Sequence, residues 1–177
     1  MANRIDQLVE RYKQVVSLPW ERHLAGPQRV WFAIYDKSDE RRLRYRLSDF
    51  EAATTLAAHR WREVDLTDAF ARWMGELPYR DAYFEDPSEI ERVLPEFQSA
   101  VVERILGEFR AADADTVVAL RGVACLFGLL KVSDLVQRLS THVPGRLLVL
   151  FPGEHEGNNY RLLDARDGWN YLAVPIS

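Results

Sequence analysis

The feature that most limits what this chain can become is an alternation of buried-strand runs with helix-period stretches. "RVWFAIYD" (29–36), "RWREVDL" (60–66), "DTVVALRGV" (115–123) and "GRLLVLFPG" (145–153) are apolar or alternating runs that end in polar or turn residues. Such runs suit strands of a largely parallel sheet covered on both faces. Between them, apolar residues recur at helical spacing. Ile5, Leu8, Val9, Tyr12, Val15 and Val16 predict a helix over 4–17 that stops before Pro19. Leu43, Leu47, Phe50, Thr54 and Ala57 predict one helix over 39–59, with Arg42, Arg46 and Asp49 outward. A third helix, capped by Asp65 or Thr67, runs to about Glu76.

"ELPYRDAYFEDP" (76–87) has the composition of a loop, and Asp86-Pro87-Ser88-Glu89 supplies an N-cap, an N1 proline and an N3 acid. The helix it opens extends to about Ala111, with Pro95 as a kink or a new first turn. A further helical stretch reaches Leu139, broken near Gly128 and Ser133. "YRLLD" and "NYLAVPI" are short extended segments separated by Asp167-Gly168, in the manner of a hairpin or a return to the sheet. The fold class that follows is α/β: one three-layer domain over 1–177, with a mostly parallel central sheet of about five strands flanked by helices. An NTPase-like fold without a phosphate-binding loop is compatible with this pattern.

Composition adds boundaries. The chain is 47% hydrophobic and 28% charged, enough apolar material for a proper core. One cysteine, Cys125, excludes a disulfide framework, and its apolar neighbours predict a buried thiol in a reducing compartment. The charged N-terminal stretch and the short apolar runs lead to the expectation of a cytoplasmic protein that neither spans nor binds a membrane. A formal charge of −4 argues against a chain whose main affinity is for phosphate backbone.

Ligands of open α/β sheets bind beyond the carboxyl ends of the strands, so Asp36 to Asp39, Asp65, Arg121-Gly122 and Glu154 to Glu156 are the positions of interest. After the first strand, "DKSDERR" contains no glycine and cannot build a backbone phosphate cradle. Glu154, His155 and Glu156 have two readings. They are a solvated turn in which Glu154 takes a backbone N–H or an arginine, or they hold a ligand or metal with a strand-end aspartate, as in a metal-dependent hydrolase. Pro152-Gly153 is expected to turn the chain at the sheet edge. Asp36, Asp39 and Asp65 read either as helix caps or as a carboxylate cluster. Arg41, Arg42, Arg44 and Arg46 form the densest basic cluster, either a solvated face balanced by nearby acids or a grip for DNA or an acidic partner. Trp20, Trp73 and Trp169 lie near turns or helix ends, where an indole can be half exposed. No catalytic residue, metal or cofactor is assigned from these patterns.

"LLVLFPGEHEGNNYRLL" followed by "NYLAVPI" resembles the C-terminal signature of the BrxB family of BREX (bacteriophage exclusion) systems. "VVALRGVACLFGLLKVSDLVQRL" is similar to that family's strand, Arg-Gly-Val turn and apolar helix pair, while the N-terminal half matches in organisation more than in residues. The matched positions are Pro152, Gly153, Glu154, Gly157 and Arg161; Ala124 stands where a second glycine is expected, and the last strand lacks a denser aromatic-arginine ending. The resemblance implies a small component of a phage-defence system that acts within an assembly. Its first partner would be a PglZ-like phosphatase-related protein, beside other BREX components. The resemblance carries no catalytic residues to transfer.

Overall fold

The computed structural model describes residues 3–177. Five strands form the central sheet in the order β2-β3-β4-β1-β7, all neighbouring pairs parallel. They are β1 (Val30–Tyr35), β2 (Arg60–Asp65), β3 (Thr116–Arg121), β4 (Arg146–Glu156) and β7 (Val174–Ile176). β5 (Asn159–Leu162) and β6 (Trp169–Asn170) extend β4 off this path as antiparallel partners. The expected fold class is therefore the observed one.

Strand alternation divides the core into two layers. Trp31, Ala33, Tyr35, Val117, Ala119, Leu148 and Leu150 face α1 (Arg4–Ser17), α2 (Glu40–Tyr45) and α3 (Leu47–Leu56). Val30, Phe32, Val118, Leu120, Leu147, Val149 and Phe151 face α6 (Leu94–Arg110), α7 (Val132–Ser140), α4 (Ala69–Glu76) and the β5 hairpin. With one residue in two pointing to each layer, both strand faces must be apolar, which explains the unbroken hydrophobic runs.

Local chemistry sets the element ends. Asn3 and Asp6 form a capping box on α1, the Asp6 N–H donating to Asn3 Oδ1 at 2.9 Å. α1 is then fastened to α3 by a buried hydrogen bond of 2.6 Å between Tyr12 Oη and Thr54 Oγ1, and burial pushes the Tyr12 phenol well above its usual range. At the opposite end of the sheet, the buried Arg146 guanidinium donates to the carbonyls of Gly145 and Glu21 and lies 4.7 Å from the centre of the Trp20 ring. Carbonyl oxygens and an indole face thus satisfy a buried cation that has no carboxylate partner among the described residues.

Four expectations change in detail. The helix over 39–59 is two, because the chain leaves helical geometry at Arg46, whose φ is −102° and ψ 6°. Arg46 is not simply outward: it pairs with Asp6 of α1 at 2.7 Å and with Asp49. The segment 76–87 holds a short helix, α5 (Arg80–Glu85). Asp86 caps a 3₁₀ turn over Pro87–Arg92, and α6 starts afresh with Pro95 in its first turn, so the proline is a new beginning and not a kink. Cys125 is exposed, because it follows the left-handed Gly122 (φ 75°) in a single 3₁₀ turn that buries Val123 and Leu126 instead.

Candidate functional site

Of the strand-end carboxylates only Asp36 caps a helical turn with its side chain; Asp39 and Asp65 form ion pairs, and the helix expected to be capped by Asp65 or Thr67 starts after Asp68 with no side-chain cap. Asp36 accepts from the Ser38 N–H at 2.8 Å and its hydroxyl at 2.6 Å, which hold the exposed carboxyl below its usual range. Asp65 accepts from the Thr67 N–H at 2.9 Å and meets Arg121 at 2.8 Å; burial opposes its ionisation, but these groups win and keep its pKa low. Arg121 also meets Glu63 at 2.5 Å. Asp39 pairs with Arg42 at 3.3 Å. Among the described residues, no three His, Cys, Asp or Glu side chains come together as a metal site.

The crevice between β1 and β4, where connections leave on opposite faces, is where such sheets usually take ligands. Here the chain itself crosses it. The Leu163 N–H donates to the Pro152 carbonyl at 2.9 Å, Pro152 is the register partner of Tyr35, and Asp164 pairs with Lys37 just past β1. Beside it Tyr35 donates to Glu40, and burial together with that carboxylate raises the phenol far above its usual range.

Pro152 and Gly153 do not turn the chain, contrary to the expectation from their sequence. β4 runs through them to Glu156, and the turn comes at Gly157-Asn158, with Gly157 in the left-handed region at φ 57°. Pairing with β1 ends at Pro152 and antiparallel pairing with β5 begins at Gly153, so the Pro-Gly step is where the strand changes partners. Proline has no N–H to extend a ladder, and glycine admits the close approach that follows.

This placement separates the Glu-His-Glu trio. Successive strand residues point to opposite faces. Glu154 stands opposite Arg161 and pairs with it at 2.7 Å, both side chains well exposed. His155 stands opposite Tyr160 with the rings stacked 6.0 Å apart, and its nitrogens lie 3.3 Å from the Gly157 carbonyl and 3.0 Å from Ser177 Oγ. A polar groove of about 450 Å³ passes the hairpin, but its glutamates and arginines offset one another. A double-mutant cycle of Glu154→Gln and Arg161→Gln is expected to give a coupling below about 1 kcal/mol in urea unfolding, as for exposed pairs. A coupling above about 2 kcal/mol would mark the pair as a structural anchor.

The arginine cluster is largely engaged. Arg44 pairs with Glu40 at 2.9 Å, Arg42 with Asp39 and Arg46 with Asp6 and Asp49, leaving Arg41 as the cluster member with no ion pair among the described residues. Three of the four arginines are thus balanced by nearby acids.

A larger concavity than the one at the hairpin lies elsewhere. A groove of about 590 Å³ runs between the segment entering α7 and the loop that joins β5 to β6, walled by Phe127, Leu129, Leu130, Val132, Leu162 and Trp169. Phe127 is 49% exposed and Trp169 half-buried, while the Trp169 indole N–H is buried without an acceptor in the chain. Trp169 was singled out by the sequence; the opposite wall was not. Its signal was present in "FGLL" (127–130), an apolar run beside a left-handed Gly128 (φ 79°) that stops the helix from burying it. No helix among the described residues is long and apolar enough to cross a membrane. Comparisons with protein-family models, with curated proteins and with solved structures gave no match to this chain.

Proposed function

We propose that this chain is a non-enzymatic adaptor in a BREX-type antiviral defence system, and that the groove between Phe127–Val132 and Leu162–Trp169 receives a PglZ-like partner. The observation that carries the adaptor reading is the groove itself: a concave, mainly apolar surface with an exposed aromatic ring on one wall and an indole on the other. Aromatic anchors in apolar recesses are the usual centre of protein interfaces. The defence assignment is supported by the resemblance, whose marker residues Pro152, Gly153, Glu154, Gly157 and Arg161 lie in the hairpin that leads into the Leu162–Trp169 wall.

The test is co-purification of the chain with the PglZ-like protein, using Phe127→Asp and Leu130→Asp, neither of which is a buried core side chain. Loss of the complex with unchanged thermal unfolding is expected. A complex indifferent to both substitutions, or a chain that associates with no BREX component, would contradict the proposal.

A further inference from the structure

From Gly75 to Glu96 the chain runs 22 residues without burying one, between Met74 and Phe97, which are both buried. It nevertheless folds into α5 and a 3₁₀ turn. Only Leu77, Tyr83, Glu89, Ile90, Val93 and Leu94 are even half-buried in it, and ordering backbone is unfavourable by roughly 1–2 kcal/mol per residue, so a segment of this kind gains when something covers it. It also displays aromatic surface: Tyr79 is 74% exposed and Phe84 67%. Single exposed apolar residues are ordinary, but two large rings on one excursion that places no fully buried side chain in the core are not.

The charge on this excursion is equally one-sided. Between Glu76 and Arg92 lie six acidic side chains against two arginines, a balance as negative as the formal −4 of the whole chain. Both arginines are committed, Arg92 to Glu89 at 2.8 Å and Arg80 to the Gly75 carbonyl at 2.8 Å and Asp81 at 3.8 Å. Glu76, Glu85 and Glu91 are exposed and make no ion pair among the described residues. Such a surface repels nucleic acid and anionic membranes and attracts cations. Five residues of helix also place Phe84 about 140° around the axis from Tyr79, so a partner that touches both must clasp α5.

We propose that the Gly75–Glu96 excursion is a docking surface for a cationic, apolar-studded segment of a partner protein, separate from the groove at Phe127 and Trp169. Electrostatic attraction to the unpaired glutamates would steer the encounter, and Tyr79 and Phe84 would supply the apolar anchors.

The experiment titrates the full chain with a short peptide alternating arginine and leucine, and with its counterpart carrying glutamate for arginine. The basic peptide is expected to bind with contacts mapping to Tyr79–Glu91 by NMR, and the acidic one not to bind. Phe84→Ser should weaken the basic peptide by about tenfold or more, as expected for an aromatic anchor. Replacing Glu76, Glu85 and Glu91 together by glutamine should flatten the salt dependence, with thermal unfolding unchanged in both variants. No binding by the basic peptide, equal binding by both peptides, or affinity indifferent to Phe84→Ser would overturn the proposal. Each of these outcomes leaves the adaptor reading of the C-terminal groove standing, because its variants lie on other elements.

Discussion

Phe32→Ala is expected to destabilise the chain by about 3–5 kcal/mol, as large-to-small changes of buried aromatics do. Phe32 is fully buried at the centre of β1, and its ring meets those of Phe151 (5.2 Å), Tyr160 (4.6 Å), Trp169 (6.2 Å) and Tyr171 (6.2 Å). One side chain therefore joins the sheet to the hairpin and to the wall of the proposed groove. The Tyr160 hydroxyl anchors the same cluster by donating to the Ala173 carbonyl at 3.0 Å, and burial pushes that phenol up to about 12. Removing the ring leaves a void bordered by four aromatics, of which Phe151, Tyr160 and Trp169 also meet one another, so collapse is limited and the penalty falls in the upper range. Urea unfolding followed by tryptophan fluorescence measures it. A loss below about 1 kcal/mol would mean that the cluster repacks freely and that the groove wall is not fixed by the sheet.

Gly153→Ala is expected to be more damaging than Gly157→Ala, because close contact with β5 is the burden at Gly153 and turn conformation the burden at Gly157. At Gly153 a Cβ would overlap the backbone carbonyl oxygen of Arg161 and stand 2.8 Å from the Phe151 ring. Neither neighbour is a flexible chain end, so β5 must move away from β4, and overpacking of this kind costs about 1–3 kcal/mol. At Gly157 the surroundings are open, and the burden is the left-handed φ alone, about 1–2 kcal/mol for an L-residue. Equilibrium unfolding orders the two. Broadened amide resonances along Asn159–Leu162 in Gly153→Ala alone would localise the cause.

How much of this was legible follows from what kind of signal each element carried. β1, β3 and the inner part of β4 are covered on both faces by helices and announce themselves as apolar runs; even β2, at the sheet edge, shows its alternation in "RWREVDL". The sheet of about five strands followed from these. Pro152-Gly153 misled because its residue types mark a break in a ladder, and a change of partner is such a break without being a turn. Cys125 misled because Val123, Ala124, Leu126 and Phe127 predict burial as a group, whereas a single 3₁₀ turn buries Val123 and Leu126 and leaves Cys125 and Phe127 out. The groove at Phe127 joins segments some forty residues apart, a tertiary relation that no local period encodes.

Amide hydrogen exchange of the chain with and without a PglZ-like protein tests most directly the proposal that the C-terminal groove meets that partner. The expected result is slowed exchange across Phe127–Val132 and Leu162–Trp169, with the Arg41–Arg46 face unchanged. Exchange that slows only at Arg41–Arg46, or nowhere in the chain, would contradict it.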